Sequence, residues 1–102
     1  MVKLSVIYHG HPKDPAAFDD YYWSKHLPTV ARWPKIRRIE IAAGEHGNEI
    51  YQIAELYFDS MDDLQAALGS PERRVSLEDT KQFPPFEGEV KRQVFEVKPF
   101  RG

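Results

Sequence analysis

The stretch of sequence that decides the fold is residues 49–59, which read EIYQIAELYFD. In an extended strand, successive side chains point to opposite faces of the sheet. Apolar side chains then fill both faces, and only Gln52 and Glu55 interrupt them. One face carries Tyr51, Ile53 and Tyr57, and the other carries Ile50, Ala54, Leu56 and Phe58. A strand that is apolar on both faces is normally central and covered on both sides.

The segments on either side of this strand predict the element order βαββαβ. Alternating or β-branched residues predict three further strands, at residues 2–9, 35–45 and 89–98. Residues 45–48 favour a hairpin turn, and residues 9–15 and 83–88 favour loops. Ser60 is a suitable N-cap for a helix that ends near Gly69, and a more polar helix follows over residues 72–81.

The first helix is predicted over residues 15–32, with Asp14 as N-cap and Pro15 in the first helical position. Pro28 lies inside this segment, removes one backbone donor and should bend or divide the helix just after His26. At 100° per residue, one stripe of this helix carries Phe18, Tyr22, His26, Thr29 and Trp33.

The order βαββαβ is that of a ferredoxin-like α+β fold, with a four-stranded antiparallel sheet and both helices on one face. We expect one domain over residues 1–102. A chain of this length has nothing left to cover the second face of a strand that is apolar on both sides. A second copy of the chain would cover it by two-fold symmetry, so we expect a homodimer.

Composition excludes several functional classes. The 102 residues carry 14 Lys and Arg against 16 Asp and Glu, which argues against a nucleic-acid-binding protein that relies on bulk charge. The chain contains no cysteine, which excludes disulfides, thiolate catalysis and zinc–sulfur sites. No apolar run is long enough to span a membrane, and the N-terminus does not have the pattern of a signal peptide. We therefore expect a cytoplasmic protein with no nucleic-acid or membrane partner.

Several motifs resemble those of the EthD family, which is named after ethyl tert-butyl ether degradation. The main motif is Asp14-Pro15 with Phe18, then Tyr21-Tyr22 and the sequence His26-Leu27-Pro28. Residues 37–40, 54–60 and 64–72 extend the resemblance, which covers residues 2–98. It implies a dimeric α+β barrel related to muconolactone-type isomerases, polyketide cyclases and cofactor-free monooxygenases. It also implies a pocket between the sheet and the helices. Methylmuconolactone isomerases use a Cys beside a His. This chain has no Cys, so their mechanism does not apply here unchanged.

His26 is the main catalytic candidate, because its position on the apolar stripe directs the imidazole towards the sheet. A histidine titrates near neutral pH and can act as a general acid or base. Asp19 and Tyr22 share its helical row and could form a relay with it. The structural alternatives are a hydrogen-bonded core histidine, a core tyrosine and a carboxylate that interacts with the helix dipole.

The other histidines are candidate metal ligands. His9 and His11 have a ligand-like spacing and His46 could add a third ligand, but no acidic residue completes a known motif. Solvated loop histidines are the alternative. His26 could also serve as an axial haem ligand. We expect neither a metal nor a cofactor.

A hydrophobic small molecule is the expected ligand, and aromatic and buried polar residues are the candidates for its pocket. They are Tyr8, Trp23, Trp33, Gln52, Glu55, Phe83 and Phe86. Aromatic residues of this kind also fill cores and dimer interfaces. Glu55 needs a partner on its buried strand, which could be Arg92, Arg38 or a ligand hydroxyl.

Three functions are compatible with the sequence. The first is a cofactor-free enzyme in which His26 moves a proton during isomerisation, cyclisation or oxygenation of a hydrophobic or aromatic metabolite. The second is a ligand-binding accessory protein of an oxygenase system. The third is a dimer that acts only through interactions. A cavity of about 300 Å³ or more at His26 would favour the first two functions, and a filled space would favour the third.

Overall fold

The computed structural model describes residues 1–45 and 47–101. Its four strands form one antiparallel sheet in the order β2-β3-β1-β4, which is the ferredoxin-like arrangement predicted from the sequence. The first and third strands are central, which agrees with the prediction that the strand with two apolar faces is central. The strands are β1 (Val2–Pro12), β2 (Arg38–Ala43), β3 (Ile50–Phe58) and β4 (Phe86–Glu96).

The helices begin at the N-caps that the sequence predicted. Asp14 accepts a hydrogen bond from the backbone N–H of Ala17, and Ser60 accepts one from that of Asp63. A third cap, Ser70, begins the polar helix one residue earlier than expected. The helical segments are α1 (Pro15–Tyr21), a π-helical turn (Tyr22–His26), α2 (Leu27–Val30), α3 (Met61–Leu68), α4 (Pro71–Asp79) and a 3-10 turn (Thr80–Gln82). No helix of the described residues is both long and apolar enough to cross a membrane.

The first helical region is divided just after His26, where Pro28 was predicted to bend or divide it. The π-helical turn precedes the proline, and the N–H of Leu27 donates to the carbonyl of Tyr22, five residues back. Such a turn adds one residue to the helical repeat and is frequently found at functional sites. The region ends at Val30, two residues earlier than predicted. The division occurs at His26, the candidate catalytic residue.

Strand β1 extends to Pro12, although residues 9–15 were predicted to form a loop. Gly10 and Gly88 are paired on β1 and β4, with φ angles of 133° and 144°. A Cβ atom on Gly10 would overlap the carbonyl oxygen of Glu87, and one on Gly88 would overlap that of His9. The two glycines therefore let the strands stay paired beyond the point where other residues would separate them.

A β-bulge changes the direction of Tyr51. Tyr8 pairs with Gln52 and His9 pairs with Ile50, so Tyr51 is the extra residue. Its ring packs edge-on against Phe18 at 5.8 Å, on the helix side of the sheet. The prediction that Tyr51 shares a face with Ile53 was therefore wrong.

The core between the sheet and the helices consists of two clusters. One contains aliphatic residues and Trp33, and the other is aromatic and includes Tyr8, Phe18 and Tyr22. The opposite face of the sheet carries Ile7 and Ile53, which are half-buried.

Candidate functional site

His26 is held by an acidic residue that sequence analysis did not identify. The side chain of His26 is 8% exposed, and its Nδ1 atom lies 2.9 Å from Oδ2 of Asp79. His26 ends the π-helical turn and Asp79 ends α4, so two separate helical segments bring the pair together. A neutral imidazole donates through one ring nitrogen and accepts through the other. Because a carboxylate only accepts, Nδ1 donates to Asp79, and Nε2 is the nitrogen that can accept a proton.

The second oxygen of Asp79 is also engaged. The hydroxyl of Tyr21, the last residue of α1, donates to Oδ1 of Asp79 at 2.6 Å. The carboxylate is thus fixed by two side chains from the first helical region. This restricts its rotation and orients the imidazole ring.

The environment of His26 favours its neutral form. Burial lowers the pKa of His26 below its ordinary value, and the charge of Arg92 acts in the same direction. The hydrogen bond and the charge of Asp79 oppose this effect without reversing it. At neutral pH the imidazole is therefore a base with an available lone pair.

Aromatic rings enclose His26. Phe83 meets the imidazole edge-on, with 4.6 Å between ring centroids, and Tyr22 lies 5.3 Å away. Burial raises the pKa of Tyr8 to about 12. The pKa of Tyr22 is also raised, mainly by burial and then by Tyr8. Both phenols stay protonated at neutral pH and can donate hydrogen bonds.

The space beside His26 is small. A cleft between the sheet and the helices, here called the inner cleft, has a volume of about 40 Å³. This holds one or a few water molecules but not an aromatic ring. Its walls combine aliphatic side chains and Trp33 with seven polar residues, which are Tyr8, Tyr22, His26, Arg73, Ser76, Thr80 and Arg92. The cavity of about 300 Å³ that would favour ligand binding at His26 is therefore not present at that point.

A larger depression adjoins the inner cleft. This outer groove has a volume of about 330 Å³ and lies between the loop at residues 83–85 and the start of β4. Tyr8, Thr80 and Arg92 line both spaces, so these three side chains lie at the junction of the groove and the cleft. Phe83 and Phe86, two of the predicted pocket residues, form part of its wall.

The predicted relay of Asp19, Tyr22 and His26 does not form. Oδ1 of Asp19 accepts a hydrogen bond from the hydroxyl of Tyr51 at 2.6 Å. The bulge that turns Tyr51 towards α1 creates this contact, and Asp79 takes the position beside His26 that Asp19 was expected to occupy. Tyr22 stays next to His26, but it contacts the imidazole through its ring.

Trp33 and Trp23 have different environments. Trp33 lines the inner cleft and donates from Nε1 to Oγ of Ser76 at 2.9 Å. Trp23 is 57% exposed and lies outside both the inner cleft and the outer groove. It does not contribute to the site within one chain.

The two polar residues of β3 lie on opposite faces of the sheet. Gln52 is 3% exposed on the helix side, and its Nε2 atom has no hydrogen-bond partner among the described residues. Glu55 lies on the other face, where its Oε1 atom is 3.0 Å from Nζ of Lys3. Lys3 is thus the partner of Glu55, instead of Arg92, Arg38 or a ligand at His26.

The remaining histidines lie apart from His26. His9 lies 3.4 Å from the carboxylate of Glu49, and His11 meets the ring of Tyr51 edge-on. His46 lies outside the described residues. Within residues 1–45 and 47–101, no three His, Asp or Glu side chains cluster as metal ligands would.

Three residues of the site were missed as such by sequence reasoning: Asp79, Arg73 and Arg92. Residues 73, 76, 77 and 80 all line the inner cleft. This is the i, i+3, i+4, i+7 spacing of one helix face, so the pattern was available in the sequence. Because α4 is rich in polar residues, this face was not recognised as facing the core. Asp79 and His26 are 53 positions apart, and no residue pattern near either of them predicts their contact.

Comparison with known proteins identifies the family. The sequence profile of the EthD domain matches residues 11–84, which include His26, Asp79 and Phe83. The chain belongs to the EthD family. An uncharacterized 11.0 kDa protein from the thcB–thcC intergenic region of Rhodococcus erythropolis is 39% identical over 89 residues, covering 81% of this chain and 84% of the relative.

Solved structures agree with this assignment. An EthD family protein from Bacillus halodurans superposes with a TM-score of 0.83 at 27% identity, over 96% of this chain and 99% of that chain. SnoaB, a cofactor-independent oxygenase from Streptomyces nogalater, has a TM-score of 0.68 at 15% identity, over 97% and 94%. A dimeric protein of unknown function and ferredoxin-like fold from Bacteroides fragilis has a TM-score of 0.65 at 17% identity, over 94% and 95%. At these two lower identities the likeness concerns the fold.

Proposed function

We propose that this EthD protein is a cofactor-free enzyme that acts on a hydrophobic or aromatic metabolite. His26 is its general base and then its general acid, and Asp79 is the positioning residue. The observation that carries this proposal is the buried hydrogen bond between Nδ1 of His26 and Oδ2 of Asp79 beside an apolar cleft. A carboxylate that orients a histidine in this way is a recurrent arrangement in proton-transfer sites.

The chemistry follows from the protonation state of His26. Nε2 accepts a proton from a carbon next to a carbonyl group or from a phenol, and the imidazolium forms. Asp79 stabilises that cation through the existing hydrogen bond. The proton is then returned to another atom of the substrate, so the protein ends in its initial state. Isomerisation and cyclisation need only these steps, and oxygenation needs dioxygen as a second substrate.

The ligand approaches through the outer groove. Phe83, Phe86 and the prolines between them provide an apolar wall for an aromatic ring. Only the reacting edge of the ring enters the inner cleft, because that cleft has the volume of a few water molecules. Side chains at the junction, including Tyr8, must move to admit a larger group.

SnoaB, which has this fold, is a cofactor-independent oxygenase, and this supports a reaction without a cofactor for this chain. A ligand-binding accessory protein without catalysis is the second candidate. The outer groove supports it, since a groove of about 330 Å³ can hold a ring without any chemical step at His26.

The proposal includes a homodimer formed by the sheet face opposite the helices. Ile7, Ile53 and Phe95 give this face an apolar character, with the Lys3–Glu55 ion pair beside them. The Bacteroides fragilis protein of the same fold is dimeric, which supports a dimer, and the apolar character of this face is the reason for assigning the interface to it.

One experiment separates the enzyme from the binder. 2-Tetralone, a bicyclic ketone with an acidic C1 position, serves as the probe. Its affinity is measured by calorimetry, and the loss of deuterium from C1 is followed by proton NMR. The enzyme should accelerate this exchange, and His26→Gln should slow the protein-dependent rate about 10²- to 10⁴-fold while affinity changes little. His9→Gln is the matched control and should behave as wild type.

The catalytic assignment fails if a folded His26→Gln protein exchanges as fast as wild type. Binding of 2-tetralone without any acceleration by the wild-type protein would support the accessory function.

A further inference from the structure

Arg92 is a cation without a partner at the junction of the two spaces. It lies on β4 opposite Val6 of β1, on the helix side of the sheet, and lines both the inner cleft and the outer groove. Among the described residues it makes no salt bridge and no side-chain hydrogen bond. Its neighbour Lys91 points to the other face and lies 3.4 Å from Glu89.

The charges around the site leave an excess of positive charge. Arg73 also lines the inner cleft, where its Nη1 atom donates to the carbonyl of Leu68 at 3.4 Å. Among the described residues, no Asp or Glu lines the inner cleft or the outer groove, and both oxygens of Asp79, which contacts His26, are engaged by Tyr21 and His26. The guanidinium of Arg92 therefore lacks a neutralising carboxylate from the described chain.

We propose that the ligand of this site is an aromatic carboxylate whose anionic group binds Arg92. This rests on the proposed function, and it specifies the substrate class of the same site. A guanidinium presents two parallel N–H donors that match a carboxylate, and Arg92 is exposed, so its side chain is accessible to an anionic ligand in the outer groove. The ring lies against Phe83 and Phe86, and the carboxylate fixes which edge of the ring points into the inner cleft.

The test uses two probes that differ in charge but hardly in shape, 2-naphthoate and 2-naphthamide. Their affinities for the full chain are measured by calorimetry at one ionic strength. Wild type should bind the carboxylate about 10- to 100-fold more tightly than the amide, as expected for charge-assisted hydrogen bonds. Arg92→Gln should abolish this preference and leave the affinity for 2-naphthamide nearly unchanged. Lys91→Gln, the adjacent control on the opposite face, should retain the preference.

Other results overturn the inference in distinguishable ways. Equal affinity for the two probes in wild type, with chemical-shift changes at His26, would reject the anion and leave the proposed function intact. A carboxylate preference that survives Arg92→Gln would reject the role of Arg92. If neither probe binds and 2-tetralone also fails to bind, both the inference and the proposed ligand site are wrong.

Discussion

Nδ1 of His26 lies 2.9 Å from Oδ2 of Asp79, and the two residues are 53 positions apart in the sequence. The pair joins the C-terminal end of α4 to the π-helical turn that precedes Pro28. A buried histidine with this partner has one nitrogen fixed as a donor and the other left as an acceptor. The orientation of the base therefore depends on the packing of two helical segments against each other.

Replacement of Asp79 by Asn should lower the pKa of His26. The carboxylate charge and its hydrogen bond favour the imidazolium, and the amide has no charge, so the opposing effect of burial becomes stronger. A pH titration of the His26 ring signals by NMR measures this change. Asp62→Asn, at the exposed start of α3, is the control and should leave the titration unchanged. An unchanged or raised pKa in Asp79→Asn would mean that the carboxylate does not act on His26.

The stability of the protein should fall on acidification through the pH region just below 6.5. Burial lowers the pKa of His26 in the folded state, so the unfolded chain binds more protons in that region. The free energy of unfolding then rises with pH, by at most about 1.4 kcal/mol per pH unit for one proton. Urea unfolding at several pH values tests this. His26→Gln should remove that part of the slope, and an identical slope in both proteins would show that His26 does not cause it.

Gly10→Ala and Gly88→Ala should each destabilise the fold by roughly 1–3 kcal/mol or more. Each glycine has a positive φ angle, and an added Cβ would collide with a backbone carbonyl on the paired strand. Gly69→Ala is the control, because its φ is −90° and an added Cβ would make only ordinary contacts, 3.7 Å from the carbonyl oxygen of Gln65, so its effect should stay within about 1 kcal/mol. Chemical denaturation measures all three variants. Wild-type stability in Gly10→Ala would contradict the close pairing of β1 and β4.

Ile53→Lys should convert the expected homodimer to a monomer. The substitution places a charge in the half-buried centre of the sheet face opposite the helices. Sedimentation velocity at micromolar concentration should give the mass of a dimer for wild type and of one chain for the variant. Val75→Lys, on the exposed surface of α4, should remain dimeric. A wild-type monomer at that concentration would reject the dimer.

The sequence predicts the fold better than the site, for physical reasons. The order of elements along the chain follows from alternation and turn residues, and the division just after His26 follows from the missing backbone donor of Pro28. The bulge at Tyr51 has no such local cause, because it depends on how β3 pairs with β1. It sends Tyr51 to Asp19 and removes that carboxylate from the relay. His26 was found because it lies on an apolar stripe, whereas Asp79 and Arg92 depend on contacts between distant segments.

The measurement that tests the central claim most directly is the pH dependence of deuterium loss from C1 of 2-tetralone, followed between pH 4.5 and 8. If Nε2 of His26 is the base, the protein-dependent rate should rise with the fraction of neutral imidazole and level off, with a midpoint below 6.5. This sigmoid should be absent from His26→Gln and shifted to lower pH in Asp79→Asn. A wild-type rate with no inflection, or the same sigmoid in His26→Gln, would contradict the assignment of His26 as the catalytic base.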